Sequence, residues 1–457
     1  MTRCKILILF FVLSVVVQGQ MAWAGTQKKE LDNVSPHQGG YVPSDSIFAR
    51  YLENEGYRIT YNNQLHLISS GTEKFRYVFE DVKKAQHHIH LEYFNFRGDS
   101  ISKELFTRLA QRQAAGVEVR AMFDSFGNMS NNRPLKKKDV ELLNQHGVEI
   151  VPFDPIKFPY LNHVLSRDHQ KNIVVDGLVG YTGGMNIADY YITGLKDIGP
   201  WRDMHVRIEG PAVEDMQRAF FYSWEHETKQ KLDGETYFPY SHGKDPKAEH
   251  KESFTTEGTC DGLVPNYHYA DTVYRGGGTA IVQRIPHKAP KAMRQAYVAA
   301  IDAAEYNIQI INPYFTPTRT VRKALYRAIK RGVKVEIMLP TKSDIPFSPD
   351  AGFYYANKMR KAGAHVYSFN GGFHHSKVMM VDGRFCTVGS TNLDSRSLRY
   401  DYEINAFLFD MKITAQLSDI FAKDKLNSTR YTFDVHRSRG GWKRFVGWFA
   451  HLFTPVL

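Results

Sequence analysis

Two copies of one short string carry the residue types needed for chemistry on a phosphate. The first copy runs His169-Gln-Lys171-Asn-Ile-Val-Val-Asp176, and the second runs His375-Ser-Lys377-Val-Met-Met-Val-Asp382. A single histidine near a lysine would be an ordinary surface pair. Two full copies with the same spacing make coincidence improbable, so these six residues form the candidate catalytic set.

Each string is followed, after the same gap, by a glycine turn that ends in asparagine. The first turn is Gly183-Gly184-Met185-Asn186, and the second is Gly389-Ser390-Thr391-Asn392. A close-packed glycine step allows the chain to return beside the histidine. We therefore expect Asn186 and Asn392 to act as uncharged donors to phosphate oxygens.

The spacing within each string predicts which side chains work together. Residues two apart on a strand point to one face, so each histidine should project with its lysine. Each aspartate follows its histidine by an odd interval and should face away. We expect Asp176 and Asp382 to be supporting groups that hold the following glycine turn in place.

Exchange of a phosphodiester needs an attacking group, an acid for the departing alkoxide and positive charge over the non-bridging oxygens. One string offers only one histidine. If the two halves of the chain pack about a pseudo-twofold axis, one histidine can attack phosphorus while the other protonates the leaving alcohol. Lysines and amides would supply the stabilisation, and no cysteine and histidine cluster has zinc spacing, so we expect no metal and no cofactor.

A third group usually orients a catalytic histidine through its other ring nitrogen. The candidates are Asp203, in Trp201-Arg-Asp203, and Glu403, in Asp401-Tyr-Glu403, each on the strand that follows its own motif. The alternative is a surface carboxylate paired with Arg202 or Arg399.

The elements around the strings repeat as well. Ala115-Gly116-Val117 recurs as Arg331-Gly332-Val333, and each copy links a helical pattern to an alternating strand. Strands alternating with helices favour parallel pairing through right-handed crossovers. The sequence thus predicts a duplicated α/β sandwich with mixed central sheets, arranged as a leader (1–24), a first half (45–227), a connection or channel loop (228–280), a second half (281–430) and an amphipathic tail (437–457).

Composition narrows the partners without choosing among them. The 457 residues carry a formal net charge of +11, which favours nucleic acids, phosphorylated metabolites or acidic lipid surfaces. Three cysteines, one of them in the leader, exclude a disulfide scaffold. The leader has a short basic start, an apolar run over 6–17 and a small-residue site at Ala22-Trp-Ala24, which indicates an export signal more than a retained anchor.

These motifs are the pattern of the phospholipase D superfamily, and the resemblance runs from about residue 75 to the C-terminus. Further strings resemble bacterial cardiolipin synthases: Pro313-Tyr-Phe315, Arg331-Gly-Val333, Gly389 to Ser397, Trp201-Arg-Asp203 and Pro455-Val-Leu457. The resemblance implies transfer of a phosphatidyl group between two phosphatidylglycerol molecules through a phosphohistidine. It also implies His169 as nucleophile and His375 as acid, although the pseudo-symmetry leaves that order open.

The chain departs from the subfamily in its membrane attachment, because typical members begin with two membrane spans. We expect the leader to direct the protein to the periplasmic side of a bacterial inner membrane. The C-terminal segment has apolar residues at helical spacing beside Lys443 and Arg444, which predicts a helix lying on a membrane surface. Packing of that helix on the protein's own core is the equal alternative.

Three functional classes follow. Lipid phosphatidyltransfer is favoured by the subfamily strings, the leader and the tail, with phosphatidylglycerol as the anionic substrate and nucleic acid as an improbable one. A phospholipase D hydrolase or a metal-independent nuclease would use the same site chemistry. A non-catalytic binding protein is disfavoured because neither copy has lost its histidine or lysine.

Overall fold

The computed structural model describes residues 43–155, 165–242, 277–345 and 348–452. The leader, most of the expected connection and the last five residues lie outside these ranges. Within them, no helix combines the length and the apolar character that crossing a bilayer requires.

The first half is built on a seven-stranded mixed sheet. Its strands lie in the order β2-β9-β7-β6-β3-β4-β5, where the labels denote β2 (Gln64–Ile68), β3 (His88–Tyr93), β4 (Glu118–Asp124), β5 (Glu149–Phe153), β6 (Lys171–Val175), β7 (Val179–Gly183) and β9 (His205–Glu209). Strands β3, β4 and β5 are parallel, and the remaining neighbours are antiparallel.

The second half repeats this plan in a larger sheet. Its strands lie in the order β1-β10-β17-β16-β15-β11-β12-β13-β18, where the labels denote β1 (Ile59–Thr60), β10 (Gly278–Arg284), β11 (Asn307–Ile311), β12 (Lys334–Pro340), β13 (His365–Phe369), β15 (Val378–Val381), β16 (Phe385–Gly389), β17 (Glu403–Phe409) and β18 (Ser428–Arg430). The motif strand β15 pairs antiparallel with β11, just as β6 pairs with β3. The expected duplicated α/β architecture with mixed sheets is confirmed.

Helices cover the faces of both sheets. In the first half these are α2 (Gly71–Lys84), α3 (Ser100–Ala114), α4 (Ser125–Ser130), α5 (Lys137–Gln145), α6 (Tyr190–Thr193) and α7 (Val213–Thr228), followed by a 3-10 turn (Glu235–Tyr237) and α8 (Pro239–His242). The second half contributes α9 (Ala292–Ala303), α10 (Arg319–Lys330), α11 (Ser348–Ala362), α12 (Ser395–Arg399), α13 (Met411–Leu426), α14 (Phe433–Ser438) and α15 (Gly440–His451).

The repeated glycine explains how each helix turns into its strand. Gly116 follows α3 with φ +91°, and Gly332 follows α10 with φ +93°. A left-handed residue after a helix satisfies its last carbonyls, and glycine adopts this conformation without steric cost. The following valines are buried, so each strand starts in the core.

The N-terminal end of the described chain packs on the far half. Helix α1 (Ser44–Asn54) buries Phe48 and Leu52 in the core of the second half, and β1 pairs antiparallel with β10. The opening segment of the expected first half therefore packs on the second half.

The two halves also meet through backbone pairs beside the motifs. A short parallel ladder joins β8 (Trp201–Arg202) to β14 (Phe373–His374), and an isolated parallel bridge joins Asp168 to Tyr402. A shared apolar core lies between the sheets, with Val174 and Val206 from one half and Met380 from the other. Each segment that leads to a motif histidine is therefore fixed by the opposite half.

A buried ion pair anchors the segment before His169. Arg167 and Asp124 are both fully buried, and their charged atoms lie 2.9 Å apart. Arg167 also donates to the carbonyls of Phe153 and Asp154, at 3.2 and 2.8 Å. The same carboxylate accepts the backbone N–H of Asp168 at 2.9 Å.

We expect Asp124→Asn to lower the free energy of unfolding by up to about 3–5 kcal/mol, because the buried guanidinium of Arg167 loses its nearer carboxylate and keeps only that of Asp154, 3.6 Å away. Urea denaturation followed by circular dichroism measures the change. Glu104→Gln breaks the exposed pair with Arg108 and should cost about 1 kcal/mol or less. Equal effects of the two substitutions would contradict the assigned role of Asp124.

Candidate active site

His169 is held by the second half through two contacts. Its backbone N–H donates to the carbonyl of Tyr402 at 3.0 Å. Its ring Nδ1 lies 3.0 Å from Oε1 of Glu403, which is fully buried. A carboxylate that accepts from Nδ1–H fixes the tautomer in which Nε2 carries the lone pair. His169 thus presents an oriented Nε2 that can act as a nucleophile.

His375 has the mirror arrangement, with the partners supplied by the first half. Its backbone N–H donates to the carbonyl of Arg202 at 2.7 Å. Its Nδ1 lies 2.7 Å from Oδ2 of Asp203, also fully buried. The side chain of Arg202 pairs instead with Asp424, at 3.1 Å. Both carboxylates therefore contact imidazole rings inside the protein and are not surface ion-pair partners of arginine.

The two lysines lie beside the histidines of their own strings. Lys171 Nζ donates to the carbonyl of His169 at 2.6 Å, and Lys377 Nζ donates to that of His375 at 2.5 Å. Burial lowers the pKa of Lys171 to about 7, and Lys377 of the other half lowers it further against the opposing effect of Glu403. Burial likewise lowers the pKa of Lys377 to about 8.

Charged groups of both strings act on the histidine rings. Burial is the first cause that lowers the pKa of His169 well below its usual value, and Lys171 is the second. Lys377 and His375, which belong to the opposite half, lower it as well. Burial and then Lys377 lower the pKa of His375. A neutral imidazole at physiological pH is the form that attacks phosphorus.

The aspartates of the strings hold a different part of the backbone from the one expected. Asp176 has φ +55° and accepts the N–H groups of residues 86, 87 and 88 at 2.8 to 3.0 Å. Asp382 has φ +53° and accepts those of residues 305, 306 and 307 at 2.8 to 2.9 Å. Each carboxylate thus fixes the chain entering β3 or β11, next to the motif strand, and not the following glycine turn.

The turn asparagines carry buried polar atoms without a partner. Asn186 and Asn392 are 6% and 5% exposed. The Oδ1 atom of each is buried and has no hydrogen-bond partner among the described residues. The two ends of a carboxamide are nearly equal in size, so rotation can place its NH₂ where the oxygen lies. These groups are suited to hydrogen bonding with a ligand.

Aromatic rings line the site unequally. The ring of His375 has neighbours in Trp201, Phe373 and Tyr314, with centroids 5.4, 5.3 and 6.0 Å away. The ring of His169 meets Phe94 at 5.2 Å. The two half-sites are related in plan but differ in enclosure.

Two residues that support the turns were missed in the sequence. Lys74, on α2, is fully buried and donates to the carbonyls of Met185 and Asn186 at 2.9 and 3.2 Å. A lysine four residues before Val78 lies on the apolar stripe of α2, which is the signal that could have identified it. Ser390, within the second glycine turn, donates its hydroxyl to Glu403.

Comparison with known proteins now places the chain. The family model described as the phospholipase D-like domain of cardiolipin synthase matches residues 78–220 and 297–425. A cardiolipin synthase of Listeria innocua is 33% identical over 409 residues, which cover 89% of this chain and 78% of that protein. The chain belongs to the cardiolipin synthase family. Each matched segment contains one of the two motif strings. The expected membership in the phospholipase D-type transferases is confirmed.

A second relative and one solved structure are also similar to the chain. The major cardiolipin synthase ClsA of Bacillus subtilis is 32% identical over 415 residues, covering 90% of this chain and 79% of that protein. The crystal structure of a phosphatidylserine synthase from Haemophilus influenzae superimposes with a TM-score of 0.63 at 15% identity, covering 90% of this chain and all of that one. The latter likeness confirms the expected phospholipase D-type fold.

The lowered lysine pKa values predict how a phosphate mimic binds. Sulfate, whose charge is constant between pH 6 and 9, needs protonated lysines. Its affinity should be greatest near pH 6 and fall as pH rises through about 7 and about 8, the pKa values of Lys171 and Lys377. Above the pKa of each lysine, its deprotonation lowers the affinity by up to about tenfold per pH unit. Isothermal titration calorimetry measures it, and an affinity that is flat or rising over this range would refute the assignment.

Lys74→Met should loosen the first asparagine turn. Methionine fits a similar environment in the second half, where Met293 is buried on the core side of α9. The substitution leaves two buried carbonyls unpaired, at about 1–3 kcal/mol each, and frees Asn186. We expect a lower unfolding midpoint and reduced turnover.

The matched control is Met293→Leu, which changes packing alone and should cost less than about 1.5 kcal/mol. Differential scanning calorimetry and initial rates report both effects. Rates for Lys74→Met equal to those of the control would show that the turn does not depend on this lysine.

Proposed function

We propose that the chain is a cardiolipin synthase that transfers a phosphatidyl group from one phosphatidylglycerol to another and releases glycerol. The observation that carries the proposal is the reciprocal orientation of two histidines. Each Nδ1 lies within hydrogen-bond distance of a buried carboxylate of the opposite half. We infer that the two Nε2 atoms face one phosphate, with the Lys377 ammonium beside it, 2.9 Å from Nε2 of His375. The similarity to curated cardiolipin synthases supports the choice of substrate.

In the first step, Nε2 of one histidine forms a bond to phosphorus, and the bond from phosphorus to the glycerol oxygen breaks. The second histidine, protonated, gives its proton to that oxygen, and glycerol leaves. His169 is the proposed nucleophile and His375 the proposed acid. The lysines and the turn asparagines bind the non-bridging oxygens and stabilise the charge that develops on them.

In the second step, the terminal hydroxyl of another phosphatidylglycerol attacks the phosphohistidine. The histidine that is now neutral accepts the hydroxyl proton, the bond from nitrogen to phosphorus breaks, and both side chains return to their first states. Protonation of His375 opposes its lowered pKa, so the incoming phosphate anion and Asp203 must stabilise the charged ring. Buried motif residues and the aromatic lining restrict water, which favours transfer over hydrolysis.

The substrate places the enzyme at a membrane surface, and we propose a location at the cell membrane. The expected export leader and its consequence, a site on the periplasmic side, lie outside the described residues and stay predictions. Nucleic acid is not proposed as a substrate.

The test uses the full chain with phosphatidylglycerol in mixed micelles and EDTA. We expect cardiolipin and free glycerol in equal amounts, measured by mass spectrometry. His169→Ala and His375→Ala should each lower the rate by at least about a thousandfold, while the exposed control His146→Ala should match the wild type. Phosphatidic acid as the main product would indicate a phospholipase D, and cleavage of plasmid DNA that is lost in His169→Ala would indicate a nuclease.

The covalent step has its own readout. Phosphatidylglycerol labelled at phosphorus should transfer label to the protein, and digestion should locate it on the peptide that contains His169. The adduct should be stable in base and labile in acid. Label on the peptide with His375 would reverse the two roles, and a stereochemically inverting reaction without any adduct would refute the two-step mechanism.

A further inference from the structure

The last helix of the described chain exposes an unusual amount of apolar surface. The exposed fractions are 73% for Trp442, 49% for Phe445 and 47% for Trp448, and Phe449 and Leu452 are exposed to a similar degree. At 100° per residue, these five positions of α15 and its end span an arc of roughly 120°. Isolated exposed apolar residues are ordinary, but a continuous aromatic stripe marks an interaction surface.

The opposite side of α15 packs on the protein. Gly447 lies roughly opposite the centre of the stripe and is the buried residue of the helix. A Cβ added there would collide with the backbone of Asp350, in the first turn of α11. Arg439 forms an ion pair with Asp350 and stacks over Phe353 at 4.3 Å. The helix is therefore docked through one side and presents the aromatic stripe outwards.

Helix α11, on which α15 packs, follows a contact of the active-site rings along the chain. Helix α11 begins four residues after Asp344, whose carboxylate accepts from the hydroxyl of Tyr314 at 2.5 Å. Tyr314 is the ring that lies 6.0 Å from the ring of His375. The helix on which α15 packs is thus preceded in the chain by a carboxylate that contacts an aromatic neighbour of His375.

The charge around the stripe identifies the kind of partner. Residues 433–452 contain four basic residues and one acidic residue. Lys443 and Arg444 are exposed on α15 itself, and Lys358 and Lys361 are exposed on α11. Tryptophan and phenylalanine flanked by basic residues suit the boundary between lipid headgroups and acyl chains, with the cations on anionic headgroups.

We propose that the exposed stripe of α15, defined by Trp442, Phe445, Trp448, Phe449 and Leu452, docks the enzyme on an anionic lipid bilayer. This inference rests on the proposed function for its purpose, since a lipid substrate has to be drawn from a bilayer. The stripe inserts its rings, while Arg444, at the edge of the stripe, binds headgroups.

The binding test compares full-length variants on vesicles of phosphatidylglycerol and phosphatidylcholine. The triple substitution Trp442→Ser, Phe445→Ser and Trp448→Ser should weaken sedimentation with the vesicles by about tenfold or more. Arg444→Gln should weaken it about fivefold, and only when phosphatidylglycerol is present. Leu142→Ser, at an exposed leucine of the first half, is the matched control and should bind as the wild type does.

A second readout reports insertion directly. Trp201 and Trp224 are buried, so lipids brominated in their acyl chains should quench Trp442 and Trp448. In a background in which Trp23 of the leader is phenylalanine, that quenching should disappear when Trp442 and Trp448 are also changed to phenylalanine, although binding persists. Unchanged binding of the triple serine variant, or quenching that survives the phenylalanine pair, overturns the proposal. So does a loss of self-association in sedimentation velocity with vesicle binding intact, because the stripe would then join two copies.

The outcome is separable from that of the proposed function. Short-chain phosphatidylglycerol below its micelle concentration requires no docking, and the triple variant should convert it at a rate within about twofold of the wild type. Wild type that docks through the stripe without making cardiolipin would refute the function alone. Cardiolipin synthesis with docking that ignores the stripe would refute the surface alone.

Discussion

The hydrogen bond from each motif histidine to a carboxylate of the opposite half is the constraint on which the rest of the structure depends. A bond of 2.7 Å from His375 to Asp203, or of 3.0 Å from His169 to Glu403, requires the halves to be registered to within a fraction of an ångström. The short ladder between β8 and β14 and the bridge from Asp168 to Tyr402 provide that register. Neither half could orient its own histidine alone.

The same constraint explains why many polar and charged side chains are buried near the motifs. A buried charge without a partner is costly, and two buried charged or titratable groups next to the motif histidines have a carboxylate partner. Arg167 is matched by Asp124, and His374, next to His375, lies 3.0 Å from Asp424. These pairs lie in the segments that precede the histidines, where a loose backbone would misplace the rings. These pairs therefore orient the two histidines before any ligand binds.

The sequence predicted the parts of this arrangement that repeat. Two strings with equal spacing identified His169 and His375, and the recurring Gly-Val steps located the helices and strands around them. The crossed pairing escaped prediction because Asp203 and Glu403 follow their own motifs along the chain, and spacing carries no information about which half they face. For the same reason, the packing of α1 on the distant core could not be read from its local pattern.

Other misses have local physical causes. Asp176 was expected to hold the glycine turn, but its left-handed backbone aims the carboxylate at the N–H groups before β3. Lys74 looked like any helix lysine, and only tertiary structure shows that carbonyls of the first turn surround it.

Differences between the halves make the two histidines of a nearly symmetric site unequal. The histidine side chain that pairs with Glu403 is 14% exposed, whereas the one that pairs with Asp203 is 7% exposed and lies among three aromatic rings. A phosphohistidine has to be reached by a second lipid, so the more open ring of His169 suits the nucleophile. Glu403 also accepts the Ser390 hydroxyl, where the first half has Gly184, because a Cβ there would overlap Asp203. A duplicated fold can thus place two histidines on one phosphate. Small differences in the residues that contact each histidine then make the two roles unequal.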